Sequence, residues 1–277
     1  NGTRWALRYS PNMSLWPDLM LKRVNTCFLK NRPNMKRVDD TQIEQFIESN
    51  IRDYHEKMLN KFLKLRLSDV LKRKNPYLFK VKALDTSEAL VKSIIDAHLS
   101  SQEESVFGGF LEQLAIFICE ETYGGRKSST EGIDLEFEKD EMRYIVSIKS
   151  GPNWGNSSQI AKMKDYFKKA KRILSTNTSK INIVAINGCC YGKDDKPDKG
   201  DYLKLCGQRF WSFISEEDAL FTGLIKPLGI RAKQRNELFQ EEYSKVINRF
   251  TYEFSSQYCR PSGEIFWEKL VVFNSGK

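Results

Sequence analysis

GIDLEFEKDEMRYIVSIK, residues 132–149, is the stretch that decides the fold. Apolar and polar residues alternate over 132–137, a charged turn follows over 138–141, and a β-branched and aromatic run occupies 143–149. Alternation with a period of two is typical of a half-buried β-strand, and a short polar link between two such runs predicts a hairpin. The segment therefore predicts two adjacent antiparallel strands.

The predicted hairpin gathers chemically useful side chains on one face. We expect a tight loop centred on 139–140, which would pair Asp134 with Ile145. Because side chains alternate between the faces of a strand, one face then carries Asp134, Ile145, Ser147 and Lys149. A carboxylate that can hold Mg²⁺ and an ammonium that can orient water are the minimum for a metal-dependent phosphodiesterase. The alternative is an ordinary surface ion pair, which is the commoner role of an Asp and a Lys on a hairpin.

Composition narrows the classes of protein. The chain has 277 residues, enough for one large or two modest domains, and 40% of them are apolar. The net charge of +9 and the pI near 9.1 favour a polyanionic partner, either nucleic acid or a membrane surface. Because no apolar run approaches the length of a bilayer span and no signal peptide opens the sequence, we expect a soluble, cytoplasmic protein.

Cysteine and histidine usage excludes several kinds of site. The six cysteines include no C-x-x-C pair, and the chain has two histidines. A structural zinc site and a histidine-based triad are therefore not expected. Acid–base chemistry must come from carboxylates, lysine or metal-bound water.

Periodicity predicts an α/β core with helical additions at both ends. A partly irregular N-terminal stretch covers residues 1–40 and is a candidate arm or interface segment. Helices are expected over 41–71, from a capping box of Asp85 and Glu88 through His98, and over 108–122, 159–174, 207–215 and 231–254. A buried strand is expected over 181–186, followed by a charged loop over 187–201.

Glu112 is a second carboxylate of interest, because its neighbours one helical turn away are Gly108, Gly109, Ala115 and Ile116. A carboxylate among small and apolar side chains is costly unless something positive compensates it. A metal ion would do so. The alternative is a glutamate that accepts a hydrogen bond from a backbone amide near the helix start.

The expected helix over 159–174 has an inner apolar stripe of Met163, Phe167, Ala170 and Leu174, and its other face is strongly basic. Such a face is usually only solvated, but here it follows the hairpin directly and could contact phosphates. Its basic residues are Lys162, Lys164, Lys168, Lys169, Lys171 and Arg172. Gln159 at the helix start could contact a phosphate or a base edge, and Arg209 with the amides of its helix could bind a phosphate.

An ordered set of short motifs resembles the PD-(D/E)XK nuclease superfamily, and more narrowly the type II restriction endonucleases of the PmeII-like group. The resemblance runs from about residue 75 to 215. Its stretches are Asn75–Tyr77, Asp85–Glu88, Asp96–Leu99, Phe107–Glu112, Gly132–Asp134, Ser147–Gly151 with Trp154, and Gly207–Trp211.

The resemblance implies a mixed β-sheet flanked by helices, a Mg²⁺ cofactor and a homodimer that matches a short GC-rich palindrome. It implies that Asp134 binds the metal and that Lys149 is the superfamily lysine. Ser147 stands where an Asp or Glu is expected, so we expect Glu112 to restore the missing charge, with Glu136 or Asp165 in reserve. The Ile148 carbonyl would complete the metal ligands.

We therefore expect a Mg²⁺-dependent endonuclease that cuts double-stranded DNA at a specific site, with a cognate methyltransferase protecting the host. The chain would divide into a mainly helical part over 1–74, for dimerisation or DNA contact, and a nuclease core with a helical extension over 75–277. Expected DNA contacts are Asn153, Trp154, Gln159, Lys162 and Arg209. Two alternatives are a structure-specific or repair nuclease of the same superfamily and a non-catalytic DNA-binding protein on a decayed nuclease fold.

Overall fold

The computed structural model describes residues 38–177, 182–230 and 232–277. The predicted arm over 1–40 lies almost wholly outside the described residues. Within them, every helix is too short or too polar to span a lipid bilayer.

A five-stranded mixed sheet forms the centre of the described structure, with its strands in chain order from edge to edge. The first three strands are antiparallel to one another, and the third, fourth and fifth run parallel. The strands are β1 (Arg126–Lys127), β2 (Leu135–Lys139), β3 (Met142–Lys149), β4 (Asn182–Cys189) and β5 (Leu203–Cys206). This arrangement confirms the predicted α/β fold with a mixed sheet flanked by helices.

Helices surround the sheet and form the rest of the described chain. Their bounds are α1 (Asp40–Leu63), α2 (Leu67–Leu71), α3 (Pro76–Val81), α4 (Ser87–Tyr123), α5 (Ser157–Asn177), α6 (Gln208–Ser215), α7 (Leu220–Gly223), α8 (Ile225–Leu228), α9 (Ala232–Tyr258) and α10 (Trp267–Ser275).

The hairpin of β2 and β3 forms as predicted, but its register differs from the predicted one by two residues. The turn residues are Asp140 and Glu141, with φ of 53° and 61°. Two-residue turns with positive φ at both positions have a twist that matches the twist of the paired strands. Glu136, not Asp134, therefore pairs with Ile145. Because the shift is even, Asp134 still lies on the predicted face.

Residues 87–123 form one helix, α4, where the sequence predicted two. The polar segment between the predicted helices contains Gln102, Glu103 and Glu104, which favour helix, and it has no proline or glycine to end one. The helix also begins one residue later than predicted: the Thr86 hydroxyl, not the Asp85 carboxylate, accepts the capping hydrogen bond from the Ala89 amide. Gly124 ends the helix in the left-handed conformation.

The predicted helix over 41–71 is instead broken between α1 and α2. Phe62 and Leu67 are both buried in the same apolar cluster. Five residues in a continuous helix would rotate them about 140° apart. The bend between them lets both side chains reach one core.

β4 extends three residues further than predicted, through Asn187, Gly188 and Cys189. Asn187 pairs with Ser147 in the parallel ladder with β3, so it is a strand residue and not the start of the charged loop. The apolar stripe predicted for α5 is confirmed, since Met163, Phe167 and Ala170 pack on the sheet.

Three apolar clusters organise the described residues. One lies between α1, the second half of α4, α6 and one face of the sheet, and another lies between α5 and the opposite face. A third is purely helical and joins α2 and the first half of α4 to α9 and α10. As a helix of 37 residues, about 55 Å long, α4 contributes to both the helical cluster and the sheet cluster.

Candidate active site

Asp134 lies immediately before β2, and its carboxylate is held from one side. Its Oδ2 accepts hydrogen bonds from the Ile148 amide at 2.7 Å and the Ser147 hydroxyl at 3.4 Å. Its own amide donates to the Val146 carbonyl at 2.9 Å, so the backbone is also fixed. Oδ1 accepts no hydrogen bond from the described residues. The carboxylate is thus oriented and keeps one oxygen available to a ligand.

The turn before Asp134 requires glycine. Gly132 has a φ of +76°, and a Cβ there would lie 2.2 Å from the ring of Tyr166 in α5. The Tyr166 hydroxyl also donates to the Glu131 carboxylate at 3.0 Å. This close packing against α5 fixes the approach of the chain to Asp134.

Lys149, the last residue of β3, lies between two oxygen atoms of the same site. Its Nζ donates to the Ile148 carbonyl at 2.9 Å and is 3.7 Å from Asp134 Oδ2. The side chains of Lys149 and Asp134 are 30% and 23% exposed, so solvent and a ligand can reach both. The ammonium is a cation placed beside the oxygen atoms that the sequence predicts as metal ligands.

Glu112 faces the same end of the sheet from α4. Its carboxylate is 3.5 Å from Lys127 Nζ, and Lys127 pairs with Leu135, the neighbour of Asp134. Burial, and then the charge of Glu112, raise the pKa of the Cys190 thiol to about 12. The Cys190 amide in turn donates to the Lys149 carbonyl at 2.9 Å. Glu112 therefore contacts β1 and lies near Cys190, whose respective partners are Leu135 and Lys149.

The two reserve carboxylates have other partners. Glu136 is buried, and its two oxygens accept hydrogen bonds from Arg126 at 2.8 Å and Arg143 at 3.0 Å. Asp165 pairs with Lys169 on the outer side of α5. Neither carboxylate is available to replace the acid missing at Ser147.

Asn187 lies at the candidate site and was not predicted from the sequence. It is 1% exposed, its Nδ2 donates to the Ser147 carbonyl at 3.2 Å, and its Oδ1 accepts from the Trp154 indole N–H at 3.1 Å. The Lys149 ammonium lies 5.4 Å from the centroid of the Trp154 ring. An amide at the end of an otherwise apolar strand run was the available signal, but the prediction assigned Asn187 to a loop.

Four of the five predicted DNA contacts are exposed: Asn153, Gln159, Lys162 and Arg209. Gln159 also forms a reciprocal cap at the start of α5, because its Oε1 accepts from the Asn156 amide while Asn156 Oδ1 accepts from the Gln159 amide. Its side-chain NH₂ remains for a ligand. Trp154 is half-buried.

The loops that follow β3 and β4 are fastened together. Lys204 donates to the Pro152 carbonyl at 2.9 Å and pairs with Asp194 at 3.4 Å, while Arg209 donates to the Asp194 carbonyl. Burial alone would raise the pKa of Asp194, but hydrogen bonds from Lys199 and the Lys196 amide, with the nearby charges, lower it. The two loops therefore present one surface beside Lys149.

The oxygen atoms present suit a hard divalent cation. The described residues contain no group of three or more His, Cys, Asp or Glu side chains that could hold a metal. The predicted ligands, Asp134 Oδ1, the Ile148 carbonyl and Glu112, would nevertheless all offer oxygen, and Mg²⁺ typically binds one or two carboxylates and keeps several waters. The donor set fits Mg²⁺ better than it fits zinc, which prefers nitrogen and sulfur.

Comparison with curated proteins gives no match. A family model described as Type II restriction endonuclease EcoO109I matches residues 41–236, well over half of the chain and all of the site described above. The chain therefore belongs to the Type II restriction endonuclease EcoO109I family and is a DNA-hydrolysing enzyme.

Proposed function

We propose that the protein is a Mg²⁺-dependent endonuclease of the PD-(D/E)XK type whose centre is built on Asp134 and Lys149. The supporting observation is the arrangement at the end of the hairpin. Asp134 is fixed through one oxygen and open at the other, and the Lys149 ammonium lies 2.9 Å from the Ile148 carbonyl. Family membership indicates that the reaction is DNA hydrolysis. The Asp134 carboxylate and the Lys149 ammonium are groups that suit this reaction.

In this proposal Asp134, Glu112 and the Ile148 carbonyl hold Mg²⁺, which when bound stabilises the charge that develops on the phosphate and the leaving 3′ oxygen. The Ile148 amide and the Ser147 hydroxyl keep the Asp134 carboxylate in place. Ser147 itself contributes no charge, so Glu112 supplies the second acid.

Lys149 would hold or deprotonate the attacking water and neutralise charge on the scissile phosphate. In the structure its ammonium contacts one proposed ligand oxygen, the Ile148 carbonyl, and lies 3.7 Å from Asp134 Oδ2, the oxygen that groups of β3 hold. A cation held by the Ile148 carbonyl and Asp134 Oδ1 would repel the ammonium, which would leave Lys149 to contact water and phosphate. The Lys149 side chain is partly exposed, which allows these contacts.

The substrate would be duplex DNA with a short, GC-rich palindromic site, cut by a homodimer and protected in the host by a methyltransferase. These finer features rest on the resemblance to the PmeII-like group. The exposed residues Asn153, Gln159, Lys162 and Arg209 belong to the loop after β3, the start of α5 and the start of α6, and their exposure suits contacts to phosphates and bases. Trp154, the fifth expected contact, is half-buried and is therefore less suited to direct contact with DNA than the other four.

Digestion of a mapped plasmid tests the proposal. With Mg²⁺ we expect discrete fragments at fixed positions, and with EDTA no cleavage. A smear would indicate a nuclease without a fixed site, as expected of a structure-specific or repair enzyme. Binding of DNA without any cleavage at high enzyme concentration would contradict the proposal and favour a non-catalytic binder.

A further inference from the structure

A chain of contacts that begins at the buried carboxamide of Asn187 connects β4 to the side chain of Lys149. Asn187 donates to the Ser147 carbonyl at 3.2 Å and accepts from the Trp154 indole at 3.1 Å. The Lys149 ammonium lies 5.4 Å from the Trp154 ring centroid, within the range of a cation–π interaction. Each link joins a different segment: β4, the loop after β3, and the end of β3.

We propose that Asn187 is a positioning residue that fixes Trp154, and that the Trp154 ring fixes the Lys149 ammonium for catalysis. This inference rests on the proposed role of Lys149. It also gives Trp154 a role other than direct contact with DNA.

The burial of Asn187 supports this role. A buried carboxamide is costly unless its donors and acceptor are satisfied. Here the partners are a backbone carbonyl beside Asp134 and an indole that covers Lys149, so the carboxamide links both halves of the candidate site. An apolar residue at the same position would fill the space without orienting the ring.

The position of the loop agrees with this role. Trp154 follows Pro152, whose carbonyl accepts from Lys204 at 2.9 Å, so the loop is fixed just before the tryptophan and at its indole. A rotation of the indole would break its bond to Asn187. The lysine side chain, which has many rotamers, would then lose one wall of its site.

Single-turnover cleavage with a matched set of variants tests the proposal. Asn187→Leu and Trp154→Leu should slow cleavage roughly 10- to 100-fold, as is typical when a residue that orients a reactive group is lost. Trp154→Phe keeps a ring but lacks the N–H, so its loss should be smaller. DNA affinity measured with Ca²⁺ in place of Mg²⁺ should not change in any of them.

The double variant Asn187→Leu with Trp154→Phe gives a sharper test. Both changes remove the same hydrogen bond, so the double variant should be no slower than Asn187→Leu alone. If the rate losses of the two single variants multiply in the double variant, the proposed coupling between Asn187 and Trp154 is wrong. Loss of DNA affinity in the Trp154 variants would also overturn it, because Trp154 would then act as a DNA contact.

Two control variants repeat the same chemistry away from the site. Asn274 donates through its Nδ2 to the carbonyls of Leu71 and Lys74, and Lys80 lies 5.1 Å from the ring centroid of Trp267. Asn274→Leu and Trp267→Phe should leave the cleavage rate of the folded enzyme unchanged. A slowing equal to that of the site variants would indicate a general structural effect and overturn the proposal.

Indole N–H resonances provide a test that needs neither DNA nor metal. The chain has five tryptophans, and Trp154→Phe identifies the signal of Trp154. Asn187→Leu and Lys149→Met should each move that signal. If it stays in place in both variants, the proposed chain of contacts is wrong. If the signal moves but wild-type protein cleaves no DNA, the proposed function fails and the geometry stands.

Discussion

Two carboxylates on the same face of the hairpin, Asp134 and Glu136, have opposite environments. Glu136 is buried, and each of its oxygens accepts a hydrogen bond from a different arginine. Asp134 is partly exposed, uses one oxygen for hydrogen bonds to β3, and has its cation at 3.7 Å. Asp134 and Glu136 are thus only two residues apart in sequence, but in the part of the chain that the structure describes only Glu136 has hydrogen-bond partners for both carboxylate oxygens.

The difference indicates which acid can do chemistry. A carboxylate bonded to two guanidinium groups has no oxygen left for a metal, and its ionisation serves the fold. A carboxylate that is held through one oxygen can bind a cation through the other without moving. Glu136 and Asp134 thus provide an internal comparison for structural and catalytic effects.

The largest expected effect is on cleavage by variants of the proposed centre. Asp134→Asn keeps the shape and an acceptor for the Ile148 amide but removes the charge, and Lys149→Met removes the ammonium. Each should slow single-turnover cleavage by roughly 1,000-fold or more, equivalent to about 4 kcal/mol of activation free energy. Their stability should change by no more than about 1 kcal/mol, because the pair is partly exposed.

An exposed lysine of α10 provides the control for that experiment. Lys269→Met removes the same charge at a distance from the site and should cut at the wild-type rate. DNA binding in Ca²⁺ separates a catalytic loss from a binding loss. Normal cleavage by either Asp134→Asn or Lys149→Met would refute the proposed centre.

Glu136→Gln should affect stability more than cleavage, which is the reverse of the effect expected for Asp134→Asn and Lys149→Met. The change leaves Arg143, whose side chain is 15% exposed, without its charged partner. Breaking a buried ion pair in this way costs about 3 kcal/mol. Urea unfolding measures the loss, and the cleavage that remains in folded protein should still require a divalent metal.

Glu138→Gln is the matched control for that variant. Glu138 is the next residue of β2 on the same face, but it is exposed. Its replacement should change the free energy of unfolding by less than about 0.5 kcal/mol. If Glu136→Gln is as stable as this control but no longer cuts, Glu136 is a site residue and the distinction between the two acids fails.

Local pattern was sufficient to predict much of this fold. The alternation in β2 and β3 fixes which side chains share a face, and a register error of two residues preserves that grouping. The stripe of α5 was predicted for the same reason, since Met163 and Phe167 recur at helical spacing. Local pattern did not predict that α1 ends at Leu63 or that α4 is a single helix. Both features depend on packing against residues that are distant in sequence.

The candidate site was only partly predictable from sequence. Asp134 and Lys149 could be grouped because one hairpin carries both. The hydrogen bonds from Arg126 and Arg143 to both Glu136 oxygens depend on the side-chain rotamers and on the pairing of β2 with β1. They could not be predicted, because β1 is only two residues long. Asn187 belongs to a parallel strand distant in sequence, so its contacts with Trp154 and Ser147 required the tertiary fold.

His98 tests whether an incompletely satisfied polar group always indicates a functional site. It is 8% exposed in the helical part of the structure, and its Nε2 has no hydrogen-bond partner among the described residues. Burial, and then the charges of Lys74 and Arg73, lower its pKa. We expect an effect on stability alone, because no proposed catalytic group lies in this part of the fold.

The sign of the effect follows from proton linkage. Between the folded-state pKa and the unfolded value near 6.5, the unfolded chain binds more protons, so the free energy of unfolding falls as pH drops through this window. His98→Gln should remove this part of the pH dependence, which amounts to about 1.4 kcal/mol for each tenfold difference in proton affinity between the folded and unfolded chains. His55→Gln, the same change at the chain's other histidine, should retain it. The contrary result is that His98→Gln abolishes cleavage at pH 7.5 and leaves the pH dependence of the free energy of unfolding unchanged. The lack of a hydrogen-bond partner at His98 would then indicate function, as it does at Asp134, in the helical part of the structure as well.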